Sequence, residues 1–262
     1  MARLSENRVD DVVRRQVVLT IPTKRKPPVL SLESYAIPDG LSCLIIADPS
    51  VLEEHVTYYK DQQSIRVVLG EVGMAAQCAM CYIWADYFNF PYYFRIDDDL
   101  APKTFVHKEG YYPNLAEVIT EAESCAHECK VSMVGFANTS NRFWLNEGFG
   151  RTWGLVHGGG FLCMSSPDPS EFIDTTLVRG TDVYMTCAHR KRDGAVGRVR
   201  FIGFDKKSST VTAGQTSINV TQEQIDASRD KILEKFPGMV TCNGTRKING
   251  GKHTIANWRM KR

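Results

Sequence analysis

An α/β fold, with a mostly parallel sheet covered by helices on both faces, is predicted by three observations. Short, continuous apolar runs alternate with helix-patterned segments through the first hundred residues. The runs show no polar alternation, so both of their faces are expected to be buried, as in parallel strands. Each run also ends in a polar, proline or glycine residue, the punctuation expected where strands reach the ligand edge of such a sheet.

The elements follow in order. QVVLTIP (16–22) reads as a buried strand closed by Pro22, and the basic, proline-containing loop TKRKPP comes next. LSCLIIADP (41–49) is a second strand, ending at Asp48-Pro49. SVLEEHVTYYKD (50–61) has helical spacing, with Ser50 placed to cap it. SIRVVLG (64–70) is a third strand, closed by Gly70, and residues 71–89 read as a helix with an apolar face. FPYYFRI (90–96) is a fourth strand that stops at three aspartates.

The second half is less regular. NLAEVITEAESCAHECK (114–130) is an amphipathic helix in which Asn114 and Glu117 resemble a capping box. VSMVGFAN (131–138) is a buried strand, and GRTWGLVHGGGFLCMSS (150–166) sets a glycine triplet between strand-like runs. RGTDVYMTCAHRKRDG (179–194) predicts a helix from about Thr181 to Gly194, and RVRFIGF (198–204) a strand. TQEQIDASRDKILEKF (221–236) is a helix with a Thr221/Gln224 capping box. The polar, basic end after Gly244 fits an ordered loop or a loose tail, with Gly250-Gly251 placed to act as a hinge. One compact domain is expected over residues 1–262.

With 262 residues, 43% hydrophobic and 24% charged, the composition is that of a soluble globular protein. A formal net charge of +2 selects no partner, although KRK at 24–26, HRKR at 189–192 and the stretch from Lys252 to Arg262 are locally positive. No run approaches the roughly 20 apolar residues of a membrane span. MARLSENRVDDVVRRQ lacks the apolar core of a signal peptide, so the expected location is cytoplasmic (the host cytoplasm, for a viral protein) rather than secreted. Most of the eight cysteines fall inside apolar runs, which suggests buried thiols in a reducing compartment. Cys78-x-x-Cys81 with Cys125-Ala-His127-Glu-Cys129 could supply four zinc ligands, but both lie within helical patterns, which favours core packing.

The aspartates carry the chemistry. Alternation along a strand would put Asp97 and Asp99 on one side, where two close carboxylates repel unless something positive sits between them. Hard oxygen ligands suit Mg²⁺ or Mn²⁺, usually beside substrate phosphates. The alternative is a solvated acidic turn in which Asp98 or Asp99 caps a helix.

TIPTKR, the segment VVLGEVGMAAQCAMCYIWADYFNFPYYFRIDDD, the triplet Gly158-Gly159-Gly160 and Gly180-Thr181-Asp182 together resemble the GT-A-fold glycosyltransferases, in order over about residues 16–205. The resemblance implies a GT-A-like (Rossmann-like) single domain. About residues 16–105 would form its nucleotide-sugar-binding half, and about 106–262 a smaller acceptor-side region with a basic C-terminal tail. It implies a metal-dependent enzyme that uses a nucleotide-sugar, such as a UDP-sugar, with Mn²⁺ or Mg²⁺. Asp99 would be the main metal ligand, with Asp97 on the metal or the donor and Asp98 beside them. Pro22, Thr23 and Arg25 would lie near base or phosphates, Asp48 and Arg66 near the base, and Gly70 at the donor edge. The usual Ala-Arg-Asn of the helix stands here as Ala76-Gln77-Cys78, which leaves Gln77 at that donor position. Gly158, Gly159, Gly160 and Trp153 would meet the acceptor.

Asp182 would be the general base of an inverting reaction; without that role a retaining one becomes possible. His253 is the candidate third metal ligand, with His189 and His157 as rivals. The layout and YFRIDDDL are also similar to the phage TET-associated and base J-type enzymes that glycosylate hydroxymethylpyrimidines in DNA. The basic clusters, the GRTW loop and Trp258 fit a nucleic-acid acceptor. A glycan, protein or small-molecule acceptor, and nucleotidyl transfer from the same kind of edge site, are the alternatives.

Overall fold

The computed structural model of the chain describes residues 16–204, 220–248 and 253–262; for Ile248 and His253 the description is of the backbone alone. Four strands, β1 (Val17–Thr23), β2 (Cys43–Ala47), β3 (Ile65–Leu69) and β4 (Tyr92–Ile96), pair in parallel in the order β3-β2-β1-β4. Registers such as Leu19↔Cys43 and Val17↔Tyr92 bring their C-termini to one edge. The sheet continues through β8 (Gly160–Met164), β6 (Met133–Ala137), β9 (Val196–Phe204) and β5 (Phe105–His107), while β7 (Phe149–Thr152) pairs with β9. β8 runs antiparallel to both β4 and β6, and β5 and β7 run antiparallel to β9. The predicted parallel sheet therefore holds for the first half and becomes mixed in the second. β8 enters between β4 and β6, which run the same way, and lies against both in the opposite sense, so its first residues stand at the edge where β4 and β6 end.

Helices cover both faces: α1 (Leu30–Ser34), α2 (Leu52–Tyr59), α3 (Met74–Tyr87), α4 (Leu115–Cys129), α5 (Thr181–Asp193) and α6 (Gln222–Lys235). The strand period of two sorts the core. Val17, Leu19 and Ile21 point to the face packed by Val118, Ile119 and Ala122 of α4, while Val18 points to the face packed by Tyr82 of α3 and Met185 of α5. Cys125 belongs to the first core and Cys78 and Cys81 to the second, so the sheet separates the cysteine pairs that a four-ligand zinc site would need together. All eight thiols are free, and burial pushes those of Cys81 and Cys163 up to about 12.

Local signals are met unevenly. α6 carries the full Thr221/Gln224 capping box. At α4 the Asn114 side chain accepts from the Glu117 N–H at 2.9 Å, but the Glu117 carboxylate takes the Tyr111 hydroxyl instead of closing the box. α2 begins at Leu52 behind Val51, and Ser50, expected as its cap, donates its N–H and hydroxyl to Asp48 Oδ1 at 3.0 and 2.7 Å. The polar end is an ordered hairpin, β10 (Val240–Ile248) with β11 (His253–Met260), a two-stranded sheet of its own. Gly250 and Gly251, the expected hinge, lie outside the described residues. No helix among the described residues is long and apolar enough to cross a membrane.

Glu123 of α4 is buried at 2% exposure, and neither carboxylate oxygen has a hydrogen bond among the described residues; His127 Nε2 stands 3.9 Å away. Burial raises its carboxyl to about 7 in the fold. The folded state therefore holds a proton that the unfolded chain releases near the ordinary Glu value of about 4.3. The associated stability is complete below that value and is lost as pH rises to about 7. Chemical denaturation at pH 5 and pH 8 is expected to show a larger fall for the wild type than for Glu123→Gln; equal falls would mean that the burial is not felt.

Candidate active site

The ends of β1, β2, β3 and β4 deliver Thr23, Asp48, Gly70 and Asp97 to one edge, and β8, running the other way, starts there with Gly160 opposite Ile96. The strand ends are tied together. The Asp48 N–H donates to the Thr23 carbonyl at 2.8 Å, and the Gly70 N–H to the Ala47 carbonyl at 2.8 Å.

The three aspartates do not continue the strand alternation, because β4 stops at Ile96 and the chain turns. Asp98 Oδ2 accepts from the Thr23 hydroxyl at 2.6 Å and lies 3.7 Å from Arg25 Nε. Asp99 Oδ2 takes Arg25 Nη2 at 2.9 Å, whereas Asp97 Oδ1 takes Arg95 Nη2 at 2.9 Å. Asp98 and Asp99 thus share one guanidinium, and Asp97 pairs with another. Burial pushes the Asp98 carboxyl above the usual range, against the Thr23 hydrogen bond and the Arg25 charge. The Arg25 loop is itself held, since its carbonyl lies 2.7 Å from Nε2 of the buried His55.

Arg95 joins the two halves. It is 4% exposed within β4, donates to the Gly158 carbonyl as well as to Asp97, and lies over the Phe161 ring at 5.6 Å. The Asp97 N–H in turn donates to the Gly159 carbonyl at 3.1 Å. The glycine triplet is tight: an added Cβ would fall 2.8 Å from the Phe204 ring at Gly159 and 3.0 Å from the Phe105 ring at Gly160. At Gly158 it would fall 3.4 Å from Asp182 Cβ, which places Asp182 directly against the loop. Asp182 sits in the first turn of α5, where its Oδ1 accepts the Val183 N–H at 2.9 Å. Burial holds the nearby Arg179 below the usual guanidinium value, against the Asp182 charge.

Gln77 lies in the buried face of α3, 5% exposed, and neither end of its amide has a hydrogen-bond partner among the described residues. It fills the space over Gly70, where a Cβ would stand 2.5 Å from its Oε1 and 2.9 Å from the Ala47 carbonyl. Gly70→Ala is expected to destabilise the fold by about 1–3 kcal/mol through this overlap. A denaturation midpoint equal to wild type would show that the amide moves aside freely.

Some expected residues are placed elsewhere. Arg66 stands near the start of β3, away from the C-terminal edge, with its guanidinium over the Phe88 ring at 4.5 Å. His189 is buried, 2.6 Å from Ser132 Oγ, 2.9 Å from Tyr82 Oη and 3.2 Å from Cys163 Sγ, and burial lowers it to about 3. That environment makes it a core histidine rather than a ligand. His157 is exposed next to Gly158, and the His253 side chain lies outside the described residues. Pro22 is the penultimate residue of β1, and Trp153, 44% exposed, stands in the loop before the triplet with Arg262 at 5.7 Å from its ring. Arg95, His55 and Arg179 were not anticipated; a charge inside the apolar run YYFRI was the available signal for Arg95.

Among the described residues no three His, Cys, Asp or Glu side chains gather to hold a metal. A Mg²⁺-like ion held by one or two carboxylates and substrate phosphates does not need three, and the aspartate oxygens at this edge are the hard donors it requires.

No protein-family model matches the chain, and no curated protein does. Among solved structures, S. aureus TarS residues 1–349 in complex with UDP is similar with a TM-score of 0.52 at 11% identity, over 84% of this chain and 65% of that one. The same TarS fragment in complex with UDP-GlcNAc gives 0.49 at 11% identity, over 85% and 72%. A putative nucleotide-diphospho-sugar transferase from Desulfovibrio desulfuricans G20 gives 0.43 at 10% identity, over 85% and 98%. The fold is GT-A-like. This chain spans less than two thirds of the TarS fragment bound to UDP, and at such identity the likeness is one of fold. Within the GT-A-like frame the aspartates, Arg25 and the glycine triplet occupy the C-terminal edge of the parallel strands, where ligands bind in open α/β sheets.

Proposed function

We propose that the chain is a glycosyltransferase that moves a sugar from a nucleotide-sugar, a UDP-sugar first among them, to an acceptor hydroxyl. A hydroxymethylpyrimidine base in DNA is the acceptor to test first. One observation carries the reading: Asp97 and the Gly158 carbonyl share the Arg95 guanidinium, and Asp182, in the first turn of α5, lies beside Gly158, its Cβ 3.4 Å from where a Cβ on that glycine would stand. Charge handling for a diphosphate and a base for a hydroxyl thereby lie on opposite sides of one loop.

In this reading Arg25 and Thr23 bind the diphosphate side of the donor, and the Gln77 amide meets a donor polar group over Gly70. Asp97 and Asp99 would hold a divalent cation, which neutralises charge developing on the leaving diphosphate. Asp182 takes the proton of the acceptor hydroxyl as its oxygen bonds to the anomeric carbon and the bond from that carbon to the diphosphate oxygen breaks. The products are the glycosylated acceptor and a nucleoside diphosphate. Buried Arg95 fixes the loop so that acceptor and donor are oriented before reaction.

The test incubates the protein with UDP-sugars, Mn²⁺ and either hydroxymethylated DNA or glycan, protein and small-molecule acceptors. UDP release with a hexose or pentose mass added to one acceptor is the expected result. Inorganic diphosphate released from a nucleoside triphosphate, with no UDP from any donor, would replace this reading with nucleotidyl transfer.

A further inference from the structure

On the far side of the acceptor loop, a cavity of about 340 Å³ opens at the C-terminal end of β6. Arg198 and Arg200, on one face of β9, line it together with Asn138, Thr139, Asn146 and Trp144. Among the described residues no carboxylate lines it and none forms an ion pair with either arginine. The arginines are seated by small residues of the neighbouring segment. A Cβ at Gly150 would overlap the Arg200 guanidinium, and one at Gly154 would stand 3.0 Å from Arg198 Nη2. Arg198 Nη2 donates to the Leu155 carbonyl at 2.9 Å, while its buried Nε has no partner among the described residues. Burial, and next the Arg200 charge, hold Arg198 below the usual guanidinium value. Beside them Trp144 is 72% exposed, and its neighbour Phe143 is 93% exposed.

We infer that this cavity binds a single-stranded stretch of nucleic acid, with a backbone phosphate on Arg198 and Arg200 and an unpaired base stacked on Trp144. The inference rests on the nucleic-acid acceptor of the proposed function and gives it a docking place. Two guanidiniums without a carboxylate suit a phosphodiester, and an exposed ring beside them suits the π-face of a base rather than a sugar-phosphate polymer alone. Position supports it too. Leu155, which anchors Arg198, is separated by at most about 11 Å of chain from Gly158, which lies beside Asp182. A strand held here would run along the acceptor loop toward the candidate base.

The test is anisotropy titration of a labelled single-stranded oligonucleotide, base-bearing or abasic, over a salt series, with UDP binding followed in parallel. Arg200→Glu is expected to weaken binding at least tenfold and to reduce the salt slope by about one. Trp144→Ala is expected to weaken the base-bearing strand by roughly 5- to 100-fold and to leave the abasic strand unaffected. UDP affinity should be unchanged in both variants. Wild-type oligonucleotide affinity in both variants would overturn the cavity while leaving a nucleic-acid acceptor in place. A loss in Arg200→Glu with no effect in Trp144→Ala would overturn base stacking and make the cavity a site for phosphate alone. No oligonucleotide binding by a wild-type protein that still binds UDP would overturn both the cavity and the nucleic-acid acceptor, but not sugar transfer.

Discussion

Asp99→Ala is expected to abolish Mn²⁺-dependent binding of UDP, with affinity in the presence of the ion falling about a hundredfold, or some 2.7 kcal/mol. The reason is the arrangement at the turn after β4. Asp99 is held at 2.9 Å by Arg25, so the same side chains that would bind a cation are kept in place by a guanidinium. Removing the carboxylate takes away a ligand and also releases Arg25 toward the donor phosphates. The variant should therefore keep some binding that is indifferent to chelator, while the wild type loses binding when chelator is added. Calorimetric titration of UDP into both proteins, with Mn²⁺ and with chelator, measures this directly. A variant whose binding still rises with Mn²⁺ would remove Asp99 from the cation site.

Asp182→Asn should separate chemistry from binding. The amide oxygen can still accept the Val183 N–H at the start of α5, so the fold and the contact with Gly158 are preserved. What is lost is proton acceptance, and a rate lower by about 10²–10⁴ is expected with UDP affinity unchanged. A variant that transfers sugar at the wild-type rate would show that no base is needed at this position, and the reaction would then be examined for retention at the anomeric carbon.

The first half of the fold was legible because its strands are uninterrupted apolar runs and its helices have clear periods and ends. The edge where Thr23, Asp48, Gly70 and Asp97 meet follows from those runs alone. In the second half β6, β8 and β9 were legible as apolar runs, and the short strands were not. β5 has three residues and β7 four, with a glycine inside β7, too short for any period to show. β10 and β11 read as a tail because most of their residues are polar; only at one end, where Val240 pairs with Met260, does the hairpin enter the core, together with Trp258. Strand alternation sets no register for the aspartates, because it applies only while the strand lasts and β4 ends at Ile96. For Arg66 the resemblance implies a place near the base, but its position near the start of β3 takes it away from that edge. Arg95 was passed over because an apolar run was read as uniform, yet its buried charge links Asp97 to the glycine loop.

The β10–β11 hairpin shares no hydrogen-bonded strand with the nine-stranded sheet. It is fastened by Thr254 to Gln222 at 2.8 and 2.9 Å, by the Lys261 carbonyl to Arg190 at 2.6 Å, by Arg262 over Trp153, and at its base by Val240, Trp258 and Met260 in the core. A ribbon attached in this way can lengthen, shorten or be exchanged between lineages without shifting a single register of the sheet that carries the aspartates. The surface around Trp153 can thus diversify while the chemistry at the other side of the loop is inherited intact.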